Sequence, residues 1–466
     1  MSKPGLPQGT RDFGSQTIYK RNFIFETIRS VFELYGYEPL ETPAMENLDT
    51  LLGKYGEEGD KLIFKILNNG LDHESKKDAA RVAFENILAG KNDKVITERA
   101  LRYDLTIPFA RYVATHFHEL SFPFRRYQLQ PVWRADRPQK GRYREFFQCD
   151  ADVVGSKSLM NEVELAQIYL TVFQKLGIDV ELRINHRKIL EGLSASSGGV
   201  ENTIPITMAI DKLDKVGIEK VKNELQEKGL NEKQVELIEK YLLIRGNNTE
   251  KIQQLTDILP NTAAQSGLHE LQYVLAFFER DSLKTGQYEN IVLDFSLARG
   301  LNYYTGIIFE VRARGVNIGS IGGGGRYDDL TGLFGVPGIP GVGISFGVDR
   351  IYDVMEELKL FPPTVQPTTQ VLFFNLGEEA LFRCFELMQE FRNAGIRCEM
   401  YHEQARFDKQ FKYAEKKNIP RVIIIGDDEL ISETAKIKDL RSGIQSEVPF
   451  SELITLLKAE SSKPKA

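Results

Sequence analysis

The segment Val132-Trp-Arg-Ala-Asp-Arg-Pro-Gln-Lys-Gly-Arg-Tyr-Arg-Glu-Phe146 is the most informative part of this 466-residue sequence. It belongs to a basic run in which seven basic residues between Arg125 and Arg144 stand against one acid, Asp136. A charge run alone is most often a solvated surface. Here, however, Arg134 follows an apolar strand, and an arginine that alternates with buried residues usually faces a partner such as phosphate. The segment therefore predicts a hairpin that binds an anion.

Strand-like segments lie on both sides of this hairpin. Residues 101–113 and 122–154 alternate β-branched or aromatic residues with polar ones, which predicts strands and hairpins of one antiparallel sheet. Strand signals return at 291–295, 307–311 and 341–346, so we expect the sheet to resume there. These segments together predict a core of the α+β class.

Helical patterns and a linker divide the rest of the chain. Apolar residues spaced by three and four predict a long helix over 18–35, with Gly36 as its stop. The same spacing in a Lys/Glu-rich background predicts a small helical insertion over 210–283. Residues 66–97 are polar and predict a surface insertion with no assigned structure. Beyond the proline-rich stretch at 362–369, strand and helix signals alternate, which predicts a separate α/β domain.

Composition restricts the class of protein. Hydrophobic residues make up 42% and charged residues 27%, which is ordinary for a soluble globular protein and excludes collagen-like, disordered and membrane classes. The first ten residues lack the apolar region of a secretory signal, so we expect a cytoplasmic protein. The net charge of -6 creates no global positive field, so a nucleic-acid partner requires local basic patches.

Motifs for metal binding and covalent catalysis are missing from the sequence. Its three cysteines and six histidines show no metal-ligand spacing, and it has no nucleophile-elbow motif. The run Gly322-Gly-Gly-Gly325 lacks the ending of a phosphate-binding P-loop, and it is compatible either with a ligand cradle or with a close backbone approach. This inventory indicates arginine-based electrostatics.

Several segments occur in the order found in one enzyme family, and nearly the whole chain resembles the histidyl-tRNA synthetases, which are class II aminoacyl-tRNA synthetases. The class-level matches are Gln8-Gly-Thr-Arg-Asp-Phe13 with the N-terminal signature, the helix through Gly36 to Pro43 with motif 1, 132–146 with motif 2 and 341–350 with motif 3. The segments similar to histidine-specific ones are 101–111, 296–306 and Gly324-Gly-Arg-Tyr327.

The resemblance implies a class II antiparallel-sheet catalytic core with a helical insertion, followed by a C-terminal α/β anticodon-binding domain. The implied boundaries are 1–190 for the first part of the core, 191–286 for the insertion, 287–361 for the second part of the core and 369–460 for the anticodon-binding domain.

The resemblance also implies roles for individual residues. Those implied to be catalytic are Arg134, Arg299 and Gln148. Those implied to bind histidine are Asp104, Thr106, Arg134, Gln148, Asp152, Arg299, Tyr303, Tyr304 and Tyr327. Those implied to bind ATP are Arg134, Asp136, Phe146 and Arg350, and those implied to meet the tRNA acceptor end are Gln139 and Arg137.

The implied substrates and partners are ATP with Mg²⁺, L-histidine, histidine tRNA and a second copy of the chain, with no DNA and no membrane. No protein ligand of the magnesium ion is assigned. A relative without catalytic activity, which binds histidine or tRNA as a regulatory subunit, is the alternative. Asp104, Asp136 and Asp152 stand where many bacterial members have glutamate.

Overall fold

The computed structural model describes residues 4–53, 59–285, 287–298, 303–363, 365 and 369–461. These residues form two compact units. The first contains the described residues up to Asp12 together with Arg21–Phe361, and the second contains Phe13–Lys20 and the described residues from Pro362 onward. None of the described helices combines the length and apolar character needed to cross a membrane.

The first unit is built on a large sheet. The strands of this unit are β1 (Glu38–Pro39), β2 (Met45–Asn47), β3 (Lys65–Ile66), β4 (Arg99–Leu101), β5 (Phe124–Trp133), β6 (Glu145–Val154), β7 (Val180–His186), β8 (Ile291–Leu293), β9 (Ile307–Ala313), β10 (Gly322–Arg326) and β11 (Gly341–Gly347). Eight of the described strands form one sheet in the order β1-β5-β6-β11-β10-β9-β7-β8. Its inner pairs are antiparallel, and only the two edge strands pair in parallel. The predicted sheet over 122–154 and its return in three later segments are confirmed.

Helices cover this sheet and extend from it. From the N-terminus to Phe361 the α-helices are α1 (Ser15–Leu34), α2 (Leu48–Leu51), α3 (Lys77–Leu88), α4 (Thr106–Thr115), α5 (Met160–Leu176), α6 (Arg187–Ser196), α7 (Thr203–Ile210), α8 (Leu213–Val216), α9 (Ile218–Glu227), α10 (Glu232–Leu242), α11 (Asn248–Ile258), α12 (Thr262–Thr285) and α13 (Val348–Glu357). The predicted helix over 18–35 is confirmed, and its stripe of Ile24, Ile28, Val31 and Phe32 is fully buried in the main core. Because apolar residues every three or four positions share one helix face, this stripe holds α1 in the core.

The prediction of strand over 101–113 is wrong, because β4 ends at Leu101 and α4 follows. The Asp104 carboxylate accepts the Ile107 backbone N–H at 3.1 Å, which satisfies one of the free donors at a helix start. Ile107, Ala110 and Val113 are then buried at helical spacing. Strand β4 pairs instead with β2 and β3 in a separate small sheet.

Two insertions leave this core. In the segment 66–97, which was predicted as a surface insertion without assigned structure, α3 forms with Ala83 as its one buried residue. The predicted helical insertion is formed by α7 to α12, whose apolar stripes join the main core. At the start of α10, the predicted capping box between Asn231 and Gln234 is confirmed.

The second unit contains a five-stranded sheet in the order β13-β12-β14-β15-β16. Its strands are β12 (Val371–Phe373), β13 (Cys398–Met400), β14 (Arg421–Ile424), β15 (Thr434–Asp439) and β16 (Gln445–Pro449), and its helices are α14 (Glu378–Asn393), α15 (Phe407–Lys416), α16 (Asp427–Ile431) and α17 (Leu453–Ser461). The first three strands pair in parallel and β15 and β16 add antiparallel edges, so the predicted α/β character is confirmed.

Candidate active site

An open cleft of about 1590 Å³ lies over the centre of the large sheet in the first unit. Strand β6 places Gln148, Asp150 and Asp152 in this cleft, because every second residue of a strand faces the same side. The predicted residues that line it are Asp104, Thr106, Arg134, Asp136, Phe146, Gln148, Asp152, Tyr303, Tyr304, Tyr327 and Arg350. Arg137 and Gln139 are exposed on the loop between β5 and β6 and do not line the cleft. Arg299 lies outside the described residues.

Partly exposed arginines mark one end of the cleft, which we call the arginine end and define by Arg134 and Arg350. The Arg134 Nε donates to the Tyr103 carbonyl at 3.0 Å, and its guanidinium lies 5.2 Å from the centre of the Phe146 ring. The Arg350 Nε donates to the Gly141 carbonyl at 2.7 Å, and its Nη1 donates to the Ser320 carbonyl at 2.7 Å. A neutral carbonyl fixes a guanidinium without cancelling its charge, so these bonds hold both cations in place at the cleft.

The loop between β5 and β6 lies beside this end. The backbone groups of Gln139 and Arg142 bond to each other at 3.1 and 2.8 Å, which closes a tight hairpin tip. The Arg142 Nη1 lies 3.7 Å from an Asp136 carboxylate oxygen, and Asp136 faces the cleft. The hairpin predicted from the basic run is therefore present, with its tip exposed.

Asp349, at the start of α13, connects this hairpin to the N-terminal segment. Its Oδ2 accepts the Phe147 backbone N–H at 3.1 Å, and its Oδ1 pairs with Arg21 at 2.6 Å and with Arg11. Since Phe147 follows Phe146 directly, this carboxylate fixes the strand that carries the aromatic ring at the arginine end.

Buried acids mark the opposite end, which we call the carboxylate end and define by Asp150, Asp152 and Arg126. The Tyr327 hydroxyl donates to Asp152 Oδ1 at 2.5 Å, and the Arg126 Nη2 lies 2.8 Å from Asp152 Oδ2. Burial raises the pKa of Asp152, while the Arg126 charge and the Tyr327 hydroxyl oppose that shift. Burial also raises the pKa of Asp150, to about 7, although Arg126 opposes this shift too.

Two tyrosines close the carboxylate end. The rings of Tyr303 and Tyr304 lie with their centres 4.6 Å apart at an angle of 60°. Burial raises the pKa values of Tyr303, Tyr304 and Tyr327, so their hydroxyl groups stay protonated and can donate. The described part of the site thus offers tyrosine donors and carboxylate acceptors in one buried pocket.

Gln148 and Thr106 lie between the two ends. The Gln148 Nε2 donates to the Ser345 hydroxyl at 2.8 Å, while its Oε1 is buried with no hydrogen-bond partner among the described residues. Thr106 begins α4 directly after Asp104, so both residues reach the cleft at a helix N-terminus. Because buried polar atoms are normally paired, this amide oxygen is an acceptor suited to a ligand donor.

The glycine run forms β10 and allows the sheet to pack closely. A Cβ added to Gly324 would collide with the Gly343 carbonyl, and one added to Gly343 would collide with the Asp152 carboxylate. Gly322, Gly323 and Gly324 also line the cleft. Of the two roles that the sequence left open, the close backbone approach is confirmed, and the same strand forms a wall of the cleft.

No role was predicted for Arg126, Asp150 and Ser345. Asp150 had a readable signal, because it lies midway between two predicted ligands, Gln148 and Asp152, in the alternation of a strand. Arg126 had none beyond its place in the basic run, since its partner is fixed by the pairing register of β5 with β6.

Comparisons with known proteins assign the family. A family model described as histidyl-tRNA synthetase matches residues 92–351, and a model described as anticodon binding domain matches residues 370–460. A histidine–tRNA ligase from Bacteroides fragilis is 51% identical over 457 residues, covering 98% of this chain and 99% of that protein. The chain belongs to the histidyl-tRNA synthetase family. The family resemblance read from the sequence is thus confirmed, together with the fold it implied.

Solved structures agree with this family. The histidyl-tRNA synthetase of Nostoc sp. PCC 7120 superposes with a TM-score of 0.81 at 31% identity, covering 99% of this chain and 100% of that chain. A Bacillus halodurans structure described as an ATP phosphoribosyltransferase regulatory subunit/histidyl-tRNA synthetase superposes with a TM-score of 0.72 at 21% identity, covering 91% of this chain and 99% of that chain. At that identity the second likeness shows a shared fold alone.

Proposed function

We propose that this protein is a histidine–tRNA ligase. It activates L-histidine with ATP to histidyl-adenylate and pyrophosphate, and it then transfers the histidyl group to the 3′ end of histidine tRNA. The observation that carries this proposal is a single cleft with cationic arginines at one end and a buried carboxylate and tyrosine pocket at the other. In a chain of this family, that cleft supports one site for an anionic nucleotide and one for imidazole.

The activation step needs fixed positive charge and no protein nucleophile. A histidine carboxylate oxygen attacks the α-phosphorus, the bond to the bridging oxygen breaks, and pyrophosphate leaves. Arg134 and Arg299 hold the α-phosphate, and Arg350 closes over the nucleotide. Because charge builds up on phosphoryl oxygens, preorganised cations stabilise the transition state. Phe146 stacks on adenine and Asp136 lies beside the nucleotide.

Recognition of histidine divides between its backbone and its ring. Asp104, Thr106 and Gln148 hold the α-amino group, and the free Gln148 amide oxygen supports this role. Asp152, Tyr304 and Tyr327 surround the imidazole, with Tyr303 beside them. An apolar side chain of similar size would leave these buried polar groups unpaired, which disfavours its binding strongly.

Magnesium enters this reaction with ATP. The described residues contain no group of three His, Cys, Asp or Glu side chains arranged to hold a metal. Phosphate oxygens and water suit Mg²⁺ as ligands, so the ion would bind together with the nucleotide and would neutralise charge on its phosphates.

The transfer step uses surfaces outside the cleft. Gln139 and Arg137 are exposed at the hairpin tip, where they can meet the acceptor stem. The matched anticodon binding domain at 370–460 supports recognition of the other end of the tRNA. We propose that the protein works as a homodimer in the cytoplasm, in keeping with the motif 1 resemblance.

Pyrophosphate exchange with ATP and each amino acid in turn, without tRNA, tests the proposal. We expect exchange with histidine alone, followed by charging of histidine tRNA once tRNA is added. If no amino acid supports exchange while histidine or tRNA still binds, the protein is a regulatory relative and the ligase proposal is wrong.

A further inference from the structure

Arg126 is a fully buried cation that the proposed reaction does not use. It lies on β5 with none of its surface exposed, and its guanidinium lies 4.1 Å from the centre of the Phe109 ring. Its Nη2 is 2.8 Å from Asp152 Oδ2 and 3.4 Å from the Leu105 carbonyl. The Nε and Nη1 atoms are buried with no hydrogen-bond partner among the described residues. Burying a guanidinium in this way is costly, which indicates a specific role.

The charges around Arg126 come from several elements. Asp150 and Asp152 face it from β6, and Asp104, just before α4, lies near Asp150. The tyrosines near this group are Tyr327 after β10, Tyr304 before β9 and Tyr37 before β1. Since the tyrosines stay neutral, the cation that faces both β6 acids is Arg126, and Asp150 also faces the buried Arg102.

We propose that Arg126 is a positioning residue that neutralises Asp152, so that the carboxylate end binds the neutral imidazole of histidine and rejects imidazolium. This inference rests on the proposed function, because it concerns the same histidine pocket. In this proposal the pocket selects the protonation state of the imidazole ring as well as its shape.

Charge balance supports this choice. Arg126 compensates Asp152, the ammonium group of the substrate compensates Asp104, and Asp150, whose pKa burial raises to about 7, also faces the buried Arg102. The Asp152 carboxylate, which faces the ring in the proposed complex, therefore carries no uncompensated charge for a second positive charge on the ligand. Without Arg126, the Asp152 charge would be uncompensated and would favour imidazolium.

Hydrogen bonding supports the same choice. An ionised Asp152 has no proton to donate, so the only contact it can make with the imidazole is to accept a ring N–H. Burial raises the pKa of Tyr304, so its hydroxyl keeps a proton to donate to the other ring nitrogen. That nitrogen accepts only when it is unprotonated, which is the neutral form of the ring.

The wild-type protein gives the first test. In histidine-dependent pyrophosphate exchange, we expect the KM for histidine to rise about tenfold from pH 8 to pH 5.5, because the neutral fraction of an imidazole with a pKa near 6.5 falls by that factor. The KM of a triazole analogue of histidine, whose ring stays unprotonated over this range, should not rise in the same way. A histidine KM that is flat with pH, or that falls as the ring protonates, would overturn the inference even if no variant can be purified.

Variants at position 126 then separate positioning from structure. Arg126→Gln should raise the KM for histidine at pH 8 and flatten or reverse its pH dependence, while the KM for ATP changes little. Arg126→Lys keeps the charge and should keep the wild-type pH dependence. The matched control is Arg125→Gln, because Arg125 is the neighbouring residue and pairs at 2.9 Å with Glu164 outside the cleft. An Arg126→Gln protein with the wild-type pH dependence would show that Arg126 is only structural.

These experiments distinguish failure of the inference about Arg126 from failure of the ligase proposal. Robust exchange with histidine but a flat pH profile removes the inference about Arg126 and leaves the ligase proposal intact. Absence of exchange at every pH removes both.

Discussion

Arg134 and Arg350 at the arginine end are partly exposed and donate to backbone carbonyls, whereas Arg126 at the carboxylate end is fully buried and paired with an acid. Bonds to neutral carbonyls hold a cation in place without cancelling its charge, which suits the proposed contact with phosphate. Arg126 instead pairs with Asp152 inside the protein, so the carboxylate at this end is compensated by a buried positive charge. In the proposed reaction, the same type of side chain therefore serves catalysis at the arginine end and selectivity at the carboxylate end.

The largest expected effect comes from removing an uncompensated cation. Arg134→Ala should lower the rate of histidine-dependent pyrophosphate exchange by about 10² or more, because transition-state charge loses a fixed donor. We expect Arg299→Ala to have a similar effect. The measurement is kcat and kcat/KM for exchange with saturating histidine.

Arg137→Ala is the matched control for these variants, since Arg137 belongs to the same basic run but is exposed outside the cleft. Its exchange rate should match that of the wild type. Near-normal turnover of Arg134→Ala would contradict the role of the arginine end.

A smaller effect, confined to one substrate, is expected at the carboxylate end. Asp152→Asn should raise the KM for histidine by about 10- to 100-fold, in line with roughly 1.5–3 kcal/mol for a hydrogen bond to a charged group. The KM for ATP should stay unchanged, because the nucleotide lies at the other end. Steady-state exchange kinetics with each substrate varied in turn would measure both constants.

Asp179→Asn provides the control for that change, because Asp179 is an exposed acid paired with Arg314 at 3.3 Å. If Asp152→Asn raised both KM values equally, the division of the cleft into two ends with separate substrates would be wrong.

A third prediction concerns the exposed hairpin tip and the transfer of the histidyl group to tRNA. The double variant Arg137→Ala, Gln139→Ala should slow charging of histidine tRNA by about tenfold and reduce its salt dependence, because a phosphate contact is lost. Pyrophosphate exchange should be unchanged. Arg81→Ala is a control with equal loss of charge, since Arg81 is exposed on α3. Equal slowing by both changes would indicate a general charge effect.

The sequence predicted the arginine end better than the carboxylate end, for a physical reason. Arg134 and Phe146 belong to one continuous hairpin, so their shared face follows from local alternation. The pairing of Arg126 with Asp152 depends on the register of two strands and on burial by α4, neither of which is a local property. The prediction for 101–113 was wrong because its apolar residues fit both a strand and a helix. The hydrogen bond that Asp104 accepts from Ile107 N–H stabilises the helix start.

The contrast between local patterns and long-range contacts also holds elsewhere in the chain. The capping box at Asn231 and the apolar stripe of α1 were readable because each is contained within a few turns of helix. In the segment 66–97 the helix α3 buries a single residue and leaves Val82, Phe84 and Leu88 exposed, so its apolar residues do not mark one face packed against the core. Local signals therefore locate elements, and the chemistry of a buried pair requires the assembled sheet.

The smallest expected effect is on stability, and it concerns Asp150. Burial raises its pKa to about 7, so the folded protein binds this proton more tightly than the unfolded chain, in which the pKa is near 3.9. The wild type therefore loses stability from this group as the pH rises from about 4 through about 7, whereas Asp150→Asn does not. The free energy of unfolding of the variant relative to the wild type should thus increase between pH 5 and pH 8, as measured by urea denaturation at each pH. Asp179→Asn, at an exposed site, should show a constant difference, and a constant difference for Asp150→Asn as well would mean that the carboxylate end holds its acids ionised.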